Sequence, residues 1–521
     1  MKTGPDHAMS FVRKLTMTRT KKKQASALLA AALCAALAGC TPGPKFRAPS
    51  APAAVAPNYK ESTVNFKNAP GWKVASPQAA MLRGKWWEIF HDPQLNALEE
   101  QVNVNNQNIR IAFQNYMAAR ALVHEARAQY WPTVTTGPSY TRSKSSGNLS
   151  NTATANAGHT GQTYTLPLQV SWEPDFFGKI RREVESAEYS AQVSAADLAN
   201  EKLVEQASLA EYYFSLRGQD ALQKILNDTV AADKKALQFT QTQYETGVND
   251  YISVVEAKTT LASAESAALN AGVSRAQYEH AIATLIGKPA TDFSFPVQPE
   301  LTSPPPIPTG VPSALLERRP DIAAAERTIA GDNATIGIGY GAFFPNVTLS
   351  VIGGLESSLF KHWFDWPSRY WAIGPSIAET IFNGGLYRAQ LHQYTAIYNA
   401  DVARYRLTVL TAFQQVEDYL AATRILSQQI LKQQEAVDSA KLYLRLEMGR
   451  YQTGLDPYIN VTVAQTTLLS DQRTLTALQI EQMNASIELI QALGGGWDKT
   501  QLPTPKQTGA KPAKSDYVLQ H

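Results

Sequence analysis

The chain has 521 residues, with 48 basic and 45 acidic side chains and a formal net charge of +3. The length allows up to three domains, and a near-balanced charge with no basic patch excludes a nucleic-acid partner from the leading readings. Two cysteines, Cys34 and Cys40, exclude a disulfide-rich scaffold.

The N-terminus reads as an export signal. Lys21-Lys22-Lys23 precedes an apolar run from Ala25 to Leu37, too short to cross a bilayer as a helix. Residues 1–39 hold seven basic side chains and one acid, so the remainder carries −3. The run ends Leu37-Ala38-Gly39-Cys40, which resembles the lipobox of bacterial lipoproteins. The resemblance implies that 1–39 is removed and that Cys40 is diacylated as the first mature residue. Thr41 follows, not the Asp that favours inner-membrane retention. Cys34 lies inside the signal, so the mature chain has no disulfide.

Residues 40–80 are rich in Pro and Ala and read as an extended leader from the anchor. A first repeat is expected over 81–295. Trp86-Trp87-Glu88-Ile89-Phe90 leads into a helix that runs to about Tyr130, where Trp131-Pro132 stops it. Thr133 to Arg142 suits a strand. Residues 143–163 are Ser, Asn, Gly, Thr and Ala and read as a polar loop. Tyr164, Leu166, Leu168, Val170 and Trp172 then alternate with polar residues, a strand with one apolar face. After Asp175-Phe176-Phe177-Gly178 a helix from Ile180 to Glu245 would be roughly 100 Å long, with Gly218 as a soft point. A Pro-rich linker, 296–312, closes the first half.

The second repeat, 313–497, takes the same order. Leu315 to Ile322 opens a helix that Phe343-Phe344-Pro345 ends. Asn346 to Ile352 is a strand, a loop carries Trp363, Phe364 and Trp366, and a second strand runs from Tyr370 to Phe382. Phe382-Asn383-Gly384-Gly385 matches Phe176-Phe177-Gly178-Lys179. A long helix follows, and the polar tail 498–521 reads as disordered.

Two stretches are copies of each other. Tyr244-Glu245-Thr246-Gly247 through Ile286-Gly287 aligns without a gap with Tyr451-Gln452-Thr453-Gly454 through Leu493-Gly494, at an offset of 207. That is an internal duplication. In each, a Gly with φ > 0 would end one helix before a second leaves. The outgoing helices carry sevenfold apolar rows, Val254, Leu261, Ala268 and Ile282 in the first, interrupted by Arg275, Asp471 and Gln482. The expected class is therefore an α+β membrane protein with two internal repeats. Four strands of about ten residues suit a membrane barrel in length but cannot close one, whereas three copies would supply twelve.

The whole resembles the outer-membrane factors of tripartite efflux systems, the TolC/OprM-like group, in its NodT-type lipoprotein branch. The resemblance covers about residues 80–497. It is carried by Trp86-Trp87 with Asp92-Pro93, by 175–182, by 316–322, and by the duplicated Tyr-x-x-x-Gly tips with Gly494-Gly495-Gly496-Trp497. It implies a homotrimeric tube: a 12-stranded β-barrel in outer-membrane lipid, four strands per chain, continued by a periplasmic α-helical coiled-coil barrel. The implied partners are a periplasmic adaptor (membrane fusion) protein and an inner-membrane pump, and the implied cargo is drugs or other small toxic compounds. A duct for type I protein secretion, and a structural coiled-coil lipoprotein that conducts nothing, are the alternatives.

An enzyme is not expected. Gly337 to Ala342 fits a dinucleotide pattern only loosely and follows a helix where it should open one. His362 and His392 have no metal-ligand spacing, no catalytic motif is present, and neither metal nor cofactor is expected. The sites expected instead belong to a conduit. Thr246, Gly247, Val248, Thr453, Gly454 and Leu455 form tips that meet the adaptor. Ile459 and Val463, one turn apart on one helix face, form an apolar gate near Thr466. Relatives often carry an acid at the Val463 position, and the first copy has Glu256 there. Tyr451 and Asp456 are expected to brace the gate by hydrogen bonds.

Overall fold

The computed structural model describes residues 42–51, 59–61, 84–146, 160–308 and 312–510. The signal, Cys40 and residues 511–521 lie outside them. A 3-10 turn, Trp86–Phe90, precedes helix α1, Pro93–Asn105. Asp92 caps α1, its Oδ1 accepting from the amides of Gln94 at 2.9 Å and Leu95 at 3.2 Å, with Pro93 already fixed at a helical φ. The single helix expected as far as Tyr130 is broken. Asn106 takes an extended φ,ψ and caps a second helix, α2, Gln107–Ala128. Its side-chain amide also donates to Glu205 Oε2 at 2.8 Å and Leu285 O at 3.0 Å, so a tertiary contact holds the break.

The strands are β1, Thr133–Thr136, β2, Ser139–Lys144, and β3, Thr160–Trp172. Two more follow in the second half, β4, Asn346–Ser357, and β5, Arg369–Ala378. β1 and β2 are one strand line interrupted at Gly137-Pro138, where proline has no N–H for the ladder. The polar loop expected over 143–163 is shorter, because β2 reaches Lys144 and β3 starts at Thr160. All pairings are antiparallel, in the order β1/β2, β3, β4, β5. The central ladder joins the two halves, with Trp172 opposite Leu349 and Tyr164 opposite Ser357. Pro167 sits inside this ladder opposite Gly354, where a Cβ would lie 2.2 Å from Leu166 O.

Helix α3 runs Lys179–Glu245 and α4 Tyr251–Leu285. After the short α5, Leu315–Arg318, come α6, Pro320–Gly341, α7, Leu386–Gln452, and α8, Tyr458–Ala492. α3 and α7 are both 67 residues long, and α4 and α8 both 35. The members of each pair start at the same 207-residue offset as the sequence copies. The glycine match at the starts of α3 and α7 slips by one: the left-handed N-caps are Gly178 and Gly385, not Gly178 and Gly384. Asp175 completes the first cap, accepting from the amides of Ile180 at 3.0 Å and Arg181 at 2.8 Å. Gly218 is not a soft point. α3 is continuous through it, and an added Cβ would lie 2.1 Å from Ile480 Cδ1 of α8.

The main core gathers about the middle of α3 and the C-terminal ends of α4 and α8, with Trp86, Trp87, Leu95, Leu209, Tyr213, Ile282 and Ile487 buried together. A neighbouring cluster gathers Leu315, Ile322, Ile329, Val409 and Leu489. The tail after Trp497, expected to be disordered, is ordered as far as residue 510. It forms a 3-10 turn, Lys499–Gln501, and helix α9, Pro505–Thr508. Buried or half-buried side chains hold its backbone: Gln192 donates to Pro503 O at 2.8 Å and Arg127 to Gly509 O at 2.9 Å. The leader also docks, with Arg182 Nε donating to Pro42 O at 3.1 Å and Asn333 to Pro44 O at 3.0 Å. No described helix is long and apolar enough to cross a membrane.

Candidate functional site at the hairpin tips

Each hairpin reverses on a glycine with positive φ, 75° at Gly247 and 72° at Gly454. Behind it the amide of Val248 donates to Gln243 O at 2.8 Å, and that of Leu455 to Arg450 O at 2.9 Å. These six-to-one bonds satisfy carbonyls that the helix end would leave bare. Thr246 and Thr453 turn their hydroxyls back onto their own helices, toward Thr242 O and Gly449 O. Val248 and Leu455 stand out in solvent, and a side chain at either glycine would meet nothing within 4 Å. The tips thus present two small apolar knobs on open turns.

Tyr451 lies behind the second tip and is buried among Ala236, Ala257, Tyr458 and Val461. It joins the two hairpins. Its hydroxyl accepts from Asn249 Nδ2 at 2.8 Å and donates to Gln243 Oε1 at 2.6 Å. Its ring meets Phe239 edge-on at 6.0 Å and Tyr458 at 5.2 Å. Burial, with the charge of Asp233 nearby, pushes the Tyr458 hydroxyl up to about 12. Asp456 acts within its own turn: it pairs with Arg450, whose guanidinium holds the carboxyl below its usual range. Ile459 and Val463 are 45% and 50% exposed, one turn apart on the same free face of α8. Thr466 shares that exposed face.

The repeats are alike in sequence but not in setting. Tyr451 and Tyr458 are buried at 4% and 2%, while their counterparts Tyr244 and Tyr251 are exposed at 47% and 55% and lie against each other at 5.4 Å. Deeper along the seam, Asp233 of α3 accepts from Gln465 Nε2 of α8 at 2.9 Å. Sequence reasoning missed this pair, as it missed Asn249 and Gln243. Their only signal is a polar residue on an otherwise apolar helix row, which does not name a partner. Among the described residues no group of acids, histidines and cysteines could hold a metal ion.

At the other end of the molecule aromatic rings gather at both ends of the sheet. Phe177 stacks on Phe344 at 5.1 Å, and Trp172 donates to Tyr130 O at 3.0 Å, on the helix side. Tyr164, Phe360 and Trp363 cluster on the loop side. The strand from Tyr164 to Trp172 spans about 27 Å at 3.4 Å per residue. Two aromatic belts at that spacing fit the apolar band of a membrane barrel.

A sheet belted for a bilayer, carried on helices of 67 residues, defines an outer-membrane channel that reaches into the periplasm. The chain belongs to the outer membrane efflux protein family, whose pattern it matches over residues 98–288 and 311–495. It is 32% identical over 472 residues to the antibiotic efflux pump outer membrane protein ArpC of Pseudomonas putida, covering 88% of this chain and 93% of that one. The toluene efflux pump outer membrane protein TtgC, also of Pseudomonas putida, matches with the same identity and coverage. The solved outer-membrane channel OprN superposes with a TM-score of 0.77 at 28% identity, over 88% of this chain and 100% of that one. The family is one of efflux channels, not of enzymes.

Proposed function

We propose that three copies of this chain close into one tube that carries drugs or other small toxic compounds from an inner-membrane pump to the exterior. The observation that carries the reading is the sheet. Its outer lines, β1/β2 and β5, each pair on one side only among the described residues. Bare strand edges are not tolerated in hydrocarbon, where each unpaired backbone group costs several kcal/mol. Joining β5 of one copy to the β1/β2 line of the next gives twelve strand lines and no edge. The equal lengths of α3 and α7, and of α4 and α8, support an internal duplication. Three chains then supply six near-equivalent hairpins to a coiled-coil barrel.

In this reading Thr246, Gly247, Val248, Thr453, Gly454 and Leu455 meet the periplasmic adaptor. Ile459, with Val463, forms an apolar ring of three on the axis that resists ions by dewetting. Tyr451 ties the gate-bearing hairpin to its neighbour, and Asp456 sets the turn before it. Cys40 carries the lipid. The leader supports this, because Pro42, two residues further along the chain, is held by Arg182 near the start of α3. The names of the relatives, antibiotic and toluene pumps, support small apolar cargo.

A strain lacking the protein, grown against a panel of antibiotics, dyes and metals, tests the function. Susceptibility should rise for at least one class, and the adaptor should co-purify with the restored tube. An unchanged panel together with no adaptor rejects the reading. An unheated gel sample should migrate as an assembled barrel and a heated one as the single chain.

A further inference from the structure

Asp233 and Gln465 face each other between the two hairpins, 2% and 8% exposed. One bond joins them, from the Gln465 amide to Asp233 Oδ1 at 2.9 Å. The other end of each group is buried without a hydrogen-bond partner: Asp233 Oδ2 and Gln465 Oε1. Both are acceptors. Two bare acceptors at the ends of one acid–amide contact lack a single hydrogen, and a buried acceptor without one is costly. Both residues line a cavity of about 210 Å³ with Asp228, Ala232, Leu444 and Gln472. That volume holds water, which gives protons a route to the carboxyl.

We infer that Asp233 and Gln465 form a proton-binding latch in the seam between the two hairpins. A proton taken from water onto Oδ2 is donated to Gln465 Oε1. Together with the existing amide bond it closes a neutral cyclic acid–amide pair. When the proton leaves for solvent, one bond remains beside a buried charge. This inference rests on the gated-duct reading, because Ile459 rides on α8 and any outward movement of α8 must break contacts to α3.

Among the described residues no cation pairs with the carboxyl. α3 itself contributes Asp228 at the cavity, and its Lys234 is turned to Glu265 of α4 at 3.1 Å. From α8 comes the Tyr458 hydroxyl, which feels both Asp233 and Glu256 of α4. From α7 comes Leu444, which is apolar. Burial alone pushes the Asp233 carboxyl up to about 6. A carboxyl raised in the closed form stabilises that form fully below the exposed value, about 4, and loses the effect as pH rises through the raised value. The latch therefore closes in acid and releases near neutrality.

Single tubes in planar bilayers test it. The ratio of open to closed dwell times in the wild type should rise about tenfold between about pH 5 and about pH 8. Asp233→Asn keeps both bonds without a titrating proton, so the step should vanish at the closed level. Gln465→Met removes the partner but leaves the buried Asp233 to titrate, so the step should remain while closed dwell times shorten at both pH values. A merely structural role would move both variants the same way. A wild type with no step, or variants that both keep it, overturns the latch. Ile459→Gly separates the two readings: if it raises conductance equally at both pH values while the step is absent, the gate stands and the latch falls.

Discussion

Arg275 interrupts the apolar row of α4, and the reason lies in α3. Its Nε donates to Asp220 Oδ1 at 2.7 Å and its Nη2 to Phe295 O at 2.7 Å, while Asp220 is fully buried. Arg275→Ala would leave that carboxylate uncompensated, and removal of one member of a buried pair costs about 3–5 kcal/mol. Urea unfolding at neutral pH should show the loss, and Asp220→Asn in the same background should recover part of it. Asp471 is a similar case, accepting from Gln433 at 3.1 Å. The sequence marks such positions as breaks in a heptad. It cannot name partners that lie 55 and 38 residues away. The proposed gate residues differ: the structure leaves the apolar Ile459 and Val463 exposed on α8. Ile459→Gly should raise single-channel conductance, and Val463→Asp should introduce block by a divalent cation through a new ring of three carboxylates. A wild type already blocked at low cation concentration would place an acidic ring elsewhere.

At the scale of elements, the glycine turns and the lengths of the long helices are readable, because periodicity and a single φ requirement determine them. The break at Asn106 is not. Its cap looks like any polar residue until Glu205 and Leu285 O stand beside it. Residues 498–510 defy a reading by composition because their order depends on Arg127 and Gln192 of other elements, not on their own apolar content. The tips carry the clearest element-level prediction. Gly454 has φ 72°, a conformation that costs an L-residue roughly 1–2 kcal/mol. The space outside is empty, so Gly454→Trp should leave the tube assembled and abolish adaptor binding. Undiminished resistance in that strain would remove the tips from the contact. The exposed pair Tyr244 and Tyr251 occupies the place that Tyr451 and Tyr458 occupy in the internal seam. Replacing both exposed tyrosines by Ala should weaken association between copies in the proposed tube, read as an earlier loss of the assembled form on heating, with the internal seam unchanged.

For the whole molecule, the membrane reading is accessible from the number and length of the strands, while the docking of the leader is not. Tyr59 is buried in the second core cluster, and the amides of Lys60 and Glu61 donate to Glu417 at 2.7 and 2.9 Å. The described parts of the leader, residues 42–51 and 59–61, thus lie against the helices. Barrel burial should dominate membrane attachment, because a membrane-spanning barrel buries far more apolar surface than the acyl chains of one anchor. Cys40→Ser should therefore change sorting of the chain and leave the conductance of assembled tubes intact. Mass spectrometry of the mature N-terminus checks the premise, and an unmodified Cys40 would remove it.

The central ladder sets an order on biosynthesis. β1/β2 meets β3, and β4 meets β5, through short connections, but β3 and β4 are separated by the whole of α3 through α6. Chain closure over so long a distance is slow compared with a local turn. Until the second half arrives, the first half must wait with β3 paired on one side only. A chain arrested before residue 346 would display an open strand edge, the feature that recruits chaperones or aggregates. Pulse-labelled chains should accordingly acquire protease-resistant helices before a protease-resistant sheet. The interval between the two should lengthen when the linker after α4 is extended.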